Sequence, residues 1–358
     1  MDVLVYVVAI LAMWLLINAF YKLWGKVIGS KTVSIDLKYG IVLVIKKYYK
    51  SMPSKTTRKT YFYALLALYS VALGLAVYAI AVMIYTGLFE RVRGAVLLIP
   101  GLNVTGEDLV YFILAASMGI ALHEYFHAKT ALRAGVPVRA YGIVLALILP
   151  SAFVEIDEKF FEEARKLLRV SVLAAGVVAN MVMATLSLGA LTYTTSPTGF
   201  TIVSVLDNSL AEKYGLKPYD VVYKINESDA SLTTLSQYLS RNETLVLVLT
   251  VYRKEAGYLN LTVVKGTLDS KLGVLVYQYA PPQSLVNALD PRIFVSIHRL
   301  FTWIYIVNFS LMAINSLPLF ITDGGRIARE VLGEKVSQVV SISTMLIFLV
   351  ALIVSARV

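Results

Sequence analysis

The 358-residue sequence contains no cysteine, which excludes disulfide frameworks, cysteine-based zinc ribbons and thiol nucleophiles. Histidine is nearly as scarce, with three in the whole chain, and charged residues make up only 16%. Apolar residues fill the space instead, at 58% of the chain and a mean hydropathy of +0.72. Such a composition places the chain among membrane proteins rather than soluble domains. Absent cysteine and scarce glutamine lean toward a thermophile-like composition, while nine methionines weigh against it.

A membrane-crossing helix needs about 20 mostly apolar residues, and six stretches qualify as spans. They run from about Val3 to Phe20, Tyr61 to Thr86, Leu109 to Leu132, Leu168 to Thr194, Leu300 to Ser316 and Val336 to Val354. The first lacks a basic leader and a small-residue cleavage site, so it reads as a retained span rather than a signal peptide. Between the first two spans, residues 22–59 hold ten Lys/Arg against one acid, Asp36. Short basic loops stay in the cytoplasm. The amino terminus is then outside, and the net charge of +10 is accounted for by topology rather than by nucleic acid. The alternation in Val33–Lys47 suits a small amphipathic sheet on the membrane. Tyr141–Val154 is apolar but short and contains Pro150, which predicts a re-entrant or interfacial hairpin on the inner side.

Residues 197–268 change character. Strand-like runs at Thr201–Val205, Val221–Ile225 and Leu245–Tyr252 surround a polar middle, predicting a soluble α+β insert on the outer side. Four of the N-x-S/T triplets, at Asn103, Asn226, Asn242 and Asn260, fall in segments placed outside. The expected organisation is a first span and basic loop over 1–60, then a first membrane half over 61–196. The insert and a second membrane half over 269–358 follow.

The chemistry concentrates at His123-Glu124-Tyr125-Phe126-His127. On a helix, positions i and i+4 share a face, so both imidazoles can hold one zinc ion with the glutamate beside it. Two polar residues packed in a helix bundle is the bland alternative. A histidine pair with a carboxylate is costly inside a membrane and usually marks function. A catalytic zinc generally takes a third protein ligand and keeps one position open. His298 sits at the outer end of the fifth span, whereas His123 lies about 21 Å down its own helix at 1.5 Å per residue. Asp323, which follows the inner end of the fifth span, is the better placed candidate. Asp323-Gly324-Gly325 also reads as an ordinary turn at a helix end.

Asn315-Ser316-Leu317-Pro318-Leu319-Phe320-Ile321-Thr322-Asp323-Gly324 resembles the N-x-x-P-x-x-x-L-D-G signature of the site-2 proteases. Ile99–Asn103, Ala152–Glu155 and Ala174–Asn180 match other stretches of that family in order. The resemblance implies an α-helical polytopic membrane protease in which His123, His127 and Asp323 hold one Zn2+ and Glu124 is the general base. It implies that Asn180, Asn315 and Pro318 help bind the substrate, a transmembrane segment of another membrane protein that must unwind to be cut. For Asn180, interhelical hydrogen bonding is the slightly preferred reading. Thr322 stands where the family has leucine, and Val177 where proline is frequent. The run Asn208–Asp220 resembles a PDZ domain, with Leu210 in place of proline and Tyr219 in place of glycine, and implies a peptide ligand for the insert. Three reaction-free alternatives are an inactive metal-binding scaffold, a metal transporter and a PDZ-centred adaptor. The transporter predicts repeated halves and more intramembrane charge, and the adaptor leaves H-E-x-x-H unexplained.

Overall fold

The computed structural model describes residues 3–28, 32–49, 51, 58–90 and 98–356. Lys31, Lys50 and Lys55 of the basic segment lie outside the described residues. The chain divides into two compact units, residues 1–186 with 303–358, and residues 187–302.

The first unit begins with helix α1 (Val3–Ile28) and strands β1 (Val33–Lys38) and β2 (Val42–Tyr48). Helix α2 (Lys59–Tyr85) ends in a single π turn, Thr86–Glu90, and is followed by α3 (Glu107–Arg133). Strands β3 (Val138–Ala146) and β4 (Leu149–Ile156), a short α4 (Glu158–Glu163) and the long α5 (Lys166–Thr194) come next. Among the described residues five helices are long and apolar enough to cross a membrane: α2 with its π turn, α3, α5, and the later α8 (Pro291–Ser316) and α10 (Glu334–Ala356). In α1 the described apolar stretch is shorter, Val8–Leu23. The segment Tyr141–Val154 crosses nothing as a helix and forms the β3–β4 hairpin.

The helices pack around α5, whose run Ala174–Ala179 is almost wholly buried. Small side chains there let neighbouring helices approach closely, which is how helices associate where no water drives them together. Tyr69 and Leu65 of α2, Ala131 of α3 and Met312 of α8 close this core, with Ile327 of α9 (Asp323–Leu332). The Tyr69 hydroxyl donates to the carbonyl of Ser316 at 2.9 Å, fixing the end of α8. Glu107 and Asp108 lie in the first turn of α3 and Arg133 in its last, each suiting the helix dipole. Gly135, at φ +83°, stops the helix, with Val136 N–H returning to Ala131 C=O.

The two β segments expected separately form one antiparallel sheet in the order β1–β2–β3–β4. Val42–Tyr48 pairs with Ala140–Ala146, so both hairpin turns lie at the same end. Two side chains of α1 hold those turns. Trp14 Nε1 donates to Leu147 C=O at 2.9 Å, and Asn18 Nδ2 to Gly40 C=O at 2.7 Å.

The second unit contains β5 (Phe200–Val205), α6 (Leu210–Lys213), β6 (Val221–Ile225), β7 (Ser228–Asp229) and α7 (Leu232–Leu239). Strands β8 (Leu245–Arg253), β9 (Gly257–Lys265) and β10 (Val274–Tyr277) complete a six-stranded sheet in the order β10–β5–β6–β8–β9, with β7 on β6. The sheet thus takes in Val274–Tyr277, beyond the 197–268 stretch that changes character in the sequence. Phe200, Ile202, Val222, Leu247, Leu249 and Leu235 form its core. Ser209 caps α6 as its position predicts, accepting from Glu212 N–H at 3.2 Å. Asp220 is buried but paired, receiving Arg253 through both carboxylate oxygens at 2.8 and 2.7 Å. Burial pushes the Tyr223 hydroxyl up from its ordinary range, and it donates to Pro281 C=O at 2.7 Å.

Candidate metal centre

Helix α3 presents His123 and His127 one turn apart on the same face, and α9 begins with Asp323. The two Nε2 atoms are 2.9 Å apart, and Asp323 Oδ2 lies 3.0 Å from one and 3.2 Å from the other. Zinc bonded to imidazole and carboxylate at about 2.0–2.1 Å in a tetrahedral arrangement holds its ligand atoms about 3.3 Å apart. The three atoms form such a triangle, slightly contracted. Among the described residues no other trio of His, Cys, Asp or Glu meets this condition.

Helix α5 prepares the lone pairs. His127 Nδ1 lies 2.7 Å from Val172 C=O. A carbonyl only accepts, so Nδ1 carries the proton and Nε2 faces the site unprotonated. His123 Nδ1 lies 3.1 Å from the amide of Asn180, whose other polar atom is buried without a partner. Turning that amide by 180° brings its oxygen to His123 Nδ1, which then donates and leaves its Nε2 lone pair facing the same point. The orphaned oxygen therefore fits a metal-ready pair of histidines. Space is kept as well: a Cβ on Gly176 would stand 2.4 Å from His127 Nε2 and 2.6 Å from His123 Nε2.

Asp323 is placed by the turn before it. Thr322, buried, caps α9 by accepting from Gly325 N–H at 3.1 Å, while its hydroxyl lies 2.7 Å from Leu317 C=O. The residue that departs from the family signature is thus the one that anchors this turn. Gly324 and Gly325 cannot carry a side chain here, since a Cβ would meet Ser316 and Leu317 C=O at 2.4 Å, and Leu319 C=O at 1.7 Å.

Glu124 is half-buried, and its Oε2 accepts from Val154 N–H on β4 at 3.0 Å. That contact couples the carboxylate beside the histidines to the edge strand of the sheet. Asn180 is accounted for by His123, whereas Asn315 and Pro318 are half-buried at and beyond the end of α8. His298 stands apart in the second unit, between Thr195 Oγ1 at 2.8 Å and Tyr277 Oη at 2.7 Å. Gly176, the carbonyl of Val172 and the N–H of Val154 escaped sequence reasoning, because main-chain groups and an absent side chain carry no chemical label. Asn308 escaped it too, a fully buried amide whose oxygen would meet a Cβ on Gly119 at 2.9 Å.

A bundle of apolar helices enclosing a His-His-Asp trio with an adjacent glutamate defines the architecture of a membrane metallopeptidase. The model of peptidase family M50 matches residues 111–355, more than half of the chain, and the chain belongs to that family, the site-2 protease family. It is an integral membrane protein of a zinc-dependent peptidase family. It is also 28% identical over 215 residues to an uncharacterised protein of Methanocaldococcus jannaschii, MJ0971, a match covering 59% of this chain and 54% of that protein. The chain therefore spans about half the length of that curated relative.

Proposed function

We propose that the protein is an intramembrane zinc metalloprotease that hydrolyses peptide bonds within or near transmembrane segments of other membrane proteins. The carrying observation is the triangle of His123, His127 and Asp323 with Glu124 one residue from a ligand. When bound, zinc supplies Lewis-acid activation of water and of the scissile carbonyl. Glu124 takes the proton of the attacking water on its carboxylate and returns it to the leaving amine. Val154 N–H holds one carboxylate oxygen, which leaves the other free for that transfer.

A transmembrane helix satisfies its own backbone, so its scissile amide has to be unwound before attack. The outer edge of β4, which pairs with no strand among the described residues, offers a place for the extended product of that unwinding. Val154 turns its N–H outward to Glu124, and strand alternation puts the main-chain groups of Ala152 on the same outer edge. Pro318, which cannot continue a helix, and Asn315 would border the same segment.

The insert is read as a PDZ-like domain with a peptide ligand. Its antiparallel sheet with a capped α7 supports that reading. The basic segment supports a cytoplasmic position for residues 22–59, with the amino terminus and the insert outside and the catalytic site toward the cytoplasmic side. The cysteine-free chain suits single-cysteine labelling: Ser236→Cys should react from outside and Lys47→Cys from inside. The activity itself is tested with the full chain in proteoliposomes and a single-span substrate. Cleavage should stop on chelation and return with added zinc. Cleavage that persists without metal would contradict the proposal.

A further inference from the structure

Helix α2 contributes no ligand to the metal centre, yet two of its contacts fall on the segment against which the Asp323 turn is packed. Its buried residues Leu65, Tyr69, Ala72, Ala76 and Ile80 recur at intervals of three and four, which puts them on one face. Tyr69 carries the polar atom of that stripe. A hydroxyl away from water needs an acceptor, and the carbonyls inside a continuous helix are already bonded to their own N–H groups. The end of α8 supplies one. That helix stops at Ser316, and Pro318 has no N–H to offer, so the last carbonyls lack helical partners. The buried Ser316 C=O accepts from Tyr69 Oη at 2.9 Å.

The next residue is held by the same helix. Leu317 is buried in one apolar cluster with Ala76 and Ile80. The carbonyls of these two residues are the ones against which Gly324 lies, since a Cβ there would stand 2.4 Å from each. Asp323 precedes that glycine, and its Oδ2 lies 3.0 and 3.2 Å from the two histidine Nε2 atoms. A shift of Ser316 and Leu317 is therefore passed by direct contact to Gly324, and through it to Asp323. Thr322 secures the turn from within, through its hydroxyl on Leu317 C=O. Helix α2 secures it from outside.

We propose that Tyr69 is a positioning residue of the metal centre, the hydroxyl by which α2 holds the seat of Asp323 opposite His123 and His127. This role rests on the reading of those three side chains as one zinc site. In Tyr69→Phe the ring still fills its place, but Ser316 C=O is left buried without that donor. An unpaired buried carbonyl is costly, and the segment relieves the cost by moving.

The test measures zinc affinity of the full chain in detergent by competition with a chelator, without substrate. Tyr69→Phe should bind zinc about tenfold more weakly, the lower end of what losing a partner around a metal ligand costs. The same substitution made together with Asp323→Ala should add nothing to the loss caused by Asp323→Ala alone, because Tyr69 acts through that ligand. With Co2+ in place of zinc, the visible absorption of Tyr69→Phe should shift, reporting a changed ligand arrangement. A hydroxyl that served the fold alone would lower the unfolding temperature of the metal-free protein and leave both zinc affinity and the cobalt spectrum as they were. That result would overturn the proposal, and so would an equal loss of affinity with and without Asp323. Loss of affinity in Asp323→Ala but none in Tyr69→Phe removes the role of Tyr69 and keeps the zinc site. No loss in Asp323→Ala overturns the site itself, and the role of Tyr69 with it.

Discussion

The main chain of Gly176 on α5 runs so close to His127 on α3 that a Cβ at Gly176 would stand 2.4 Å from the Nε2 of His127. The missing side chain is therefore where the two histidines converge. Gly176→Ala should favour α5 as a helix by up to about 1 kcal/mol yet force the imidazoles apart. The expected result is a more than tenfold loss of zinc affinity in a folded protein, read by metal analysis after equilibration against a competing chelator.

Thr322 offers a second handle on the same centre. Its hydroxyl caps α9 and binds the turn that carries Asp323. Thr322→Val keeps the shape and removes the hydroxyl, which should cost about 1 kcal/mol of stability and weaken zinc binding. Thr322→Ser should restore most of both, measured by thermal unfolding in detergent and by metal titration.

Asn180 separates two roles. As the partner of His123 Nδ1, its loss in Asn180→Ala should lower zinc affinity by about 10–100-fold. Asn180→Asp can still accept from Nδ1–H and should retain the metal. A residue that acted on substrate alone would instead raise KM and leave zinc affinity unchanged.

In the second unit, Tyr219 occupies the position where the PDZ-like pattern has glycine, and it sits at φ +67°. A non-glycine residue there costs roughly 1–2 kcal/mol. Arg292 lies over its ring, 5.0 Å from the centroid, which offsets part of that cost. Tyr219→Gly should raise the unfolding free energy of this unit by up to about 1 kcal/mol, visible as slower hydrogen exchange in β6.

The parts of the centre that were legible in the sequence are those that one helix can encode. His123, Glu124 and His127 share a face by spacing alone. Asp323 required a comparison of depths along two spans, and a family resemblance to single it out. The sheet was visible only as an alternating stretch and a separate short apolar hairpin, because Val42–Tyr48 and Ala140–Ala146 pair across almost a hundred residues, and register at that distance leaves no local pattern. Thr322 looked like a departure from a signature and is the cap that positions Asp323. Asn180 carried two readings, substrate contact and interhelical hydrogen bonding, and its amide lies against His123 of another helix, which is the second. Burial alone can decide such cases, since an amide in an apolar helix hydrogen-bonds the nearest polar group whatever its label.

The central claim is that Glu124 moves a proton at a site where His123, His127 and Asp323 hold zinc. The most direct measurement compares the unsubstituted chain with Glu124→Gln, both loaded with zinc, on a single-span substrate in proteoliposomes. Glu124→Gln should keep its zinc and lose cleavage by at least about a hundredfold, the usual scale of general-base catalysis. Unchanged cleavage by the glutamine variant, or zinc held by neither protein, would contradict the account.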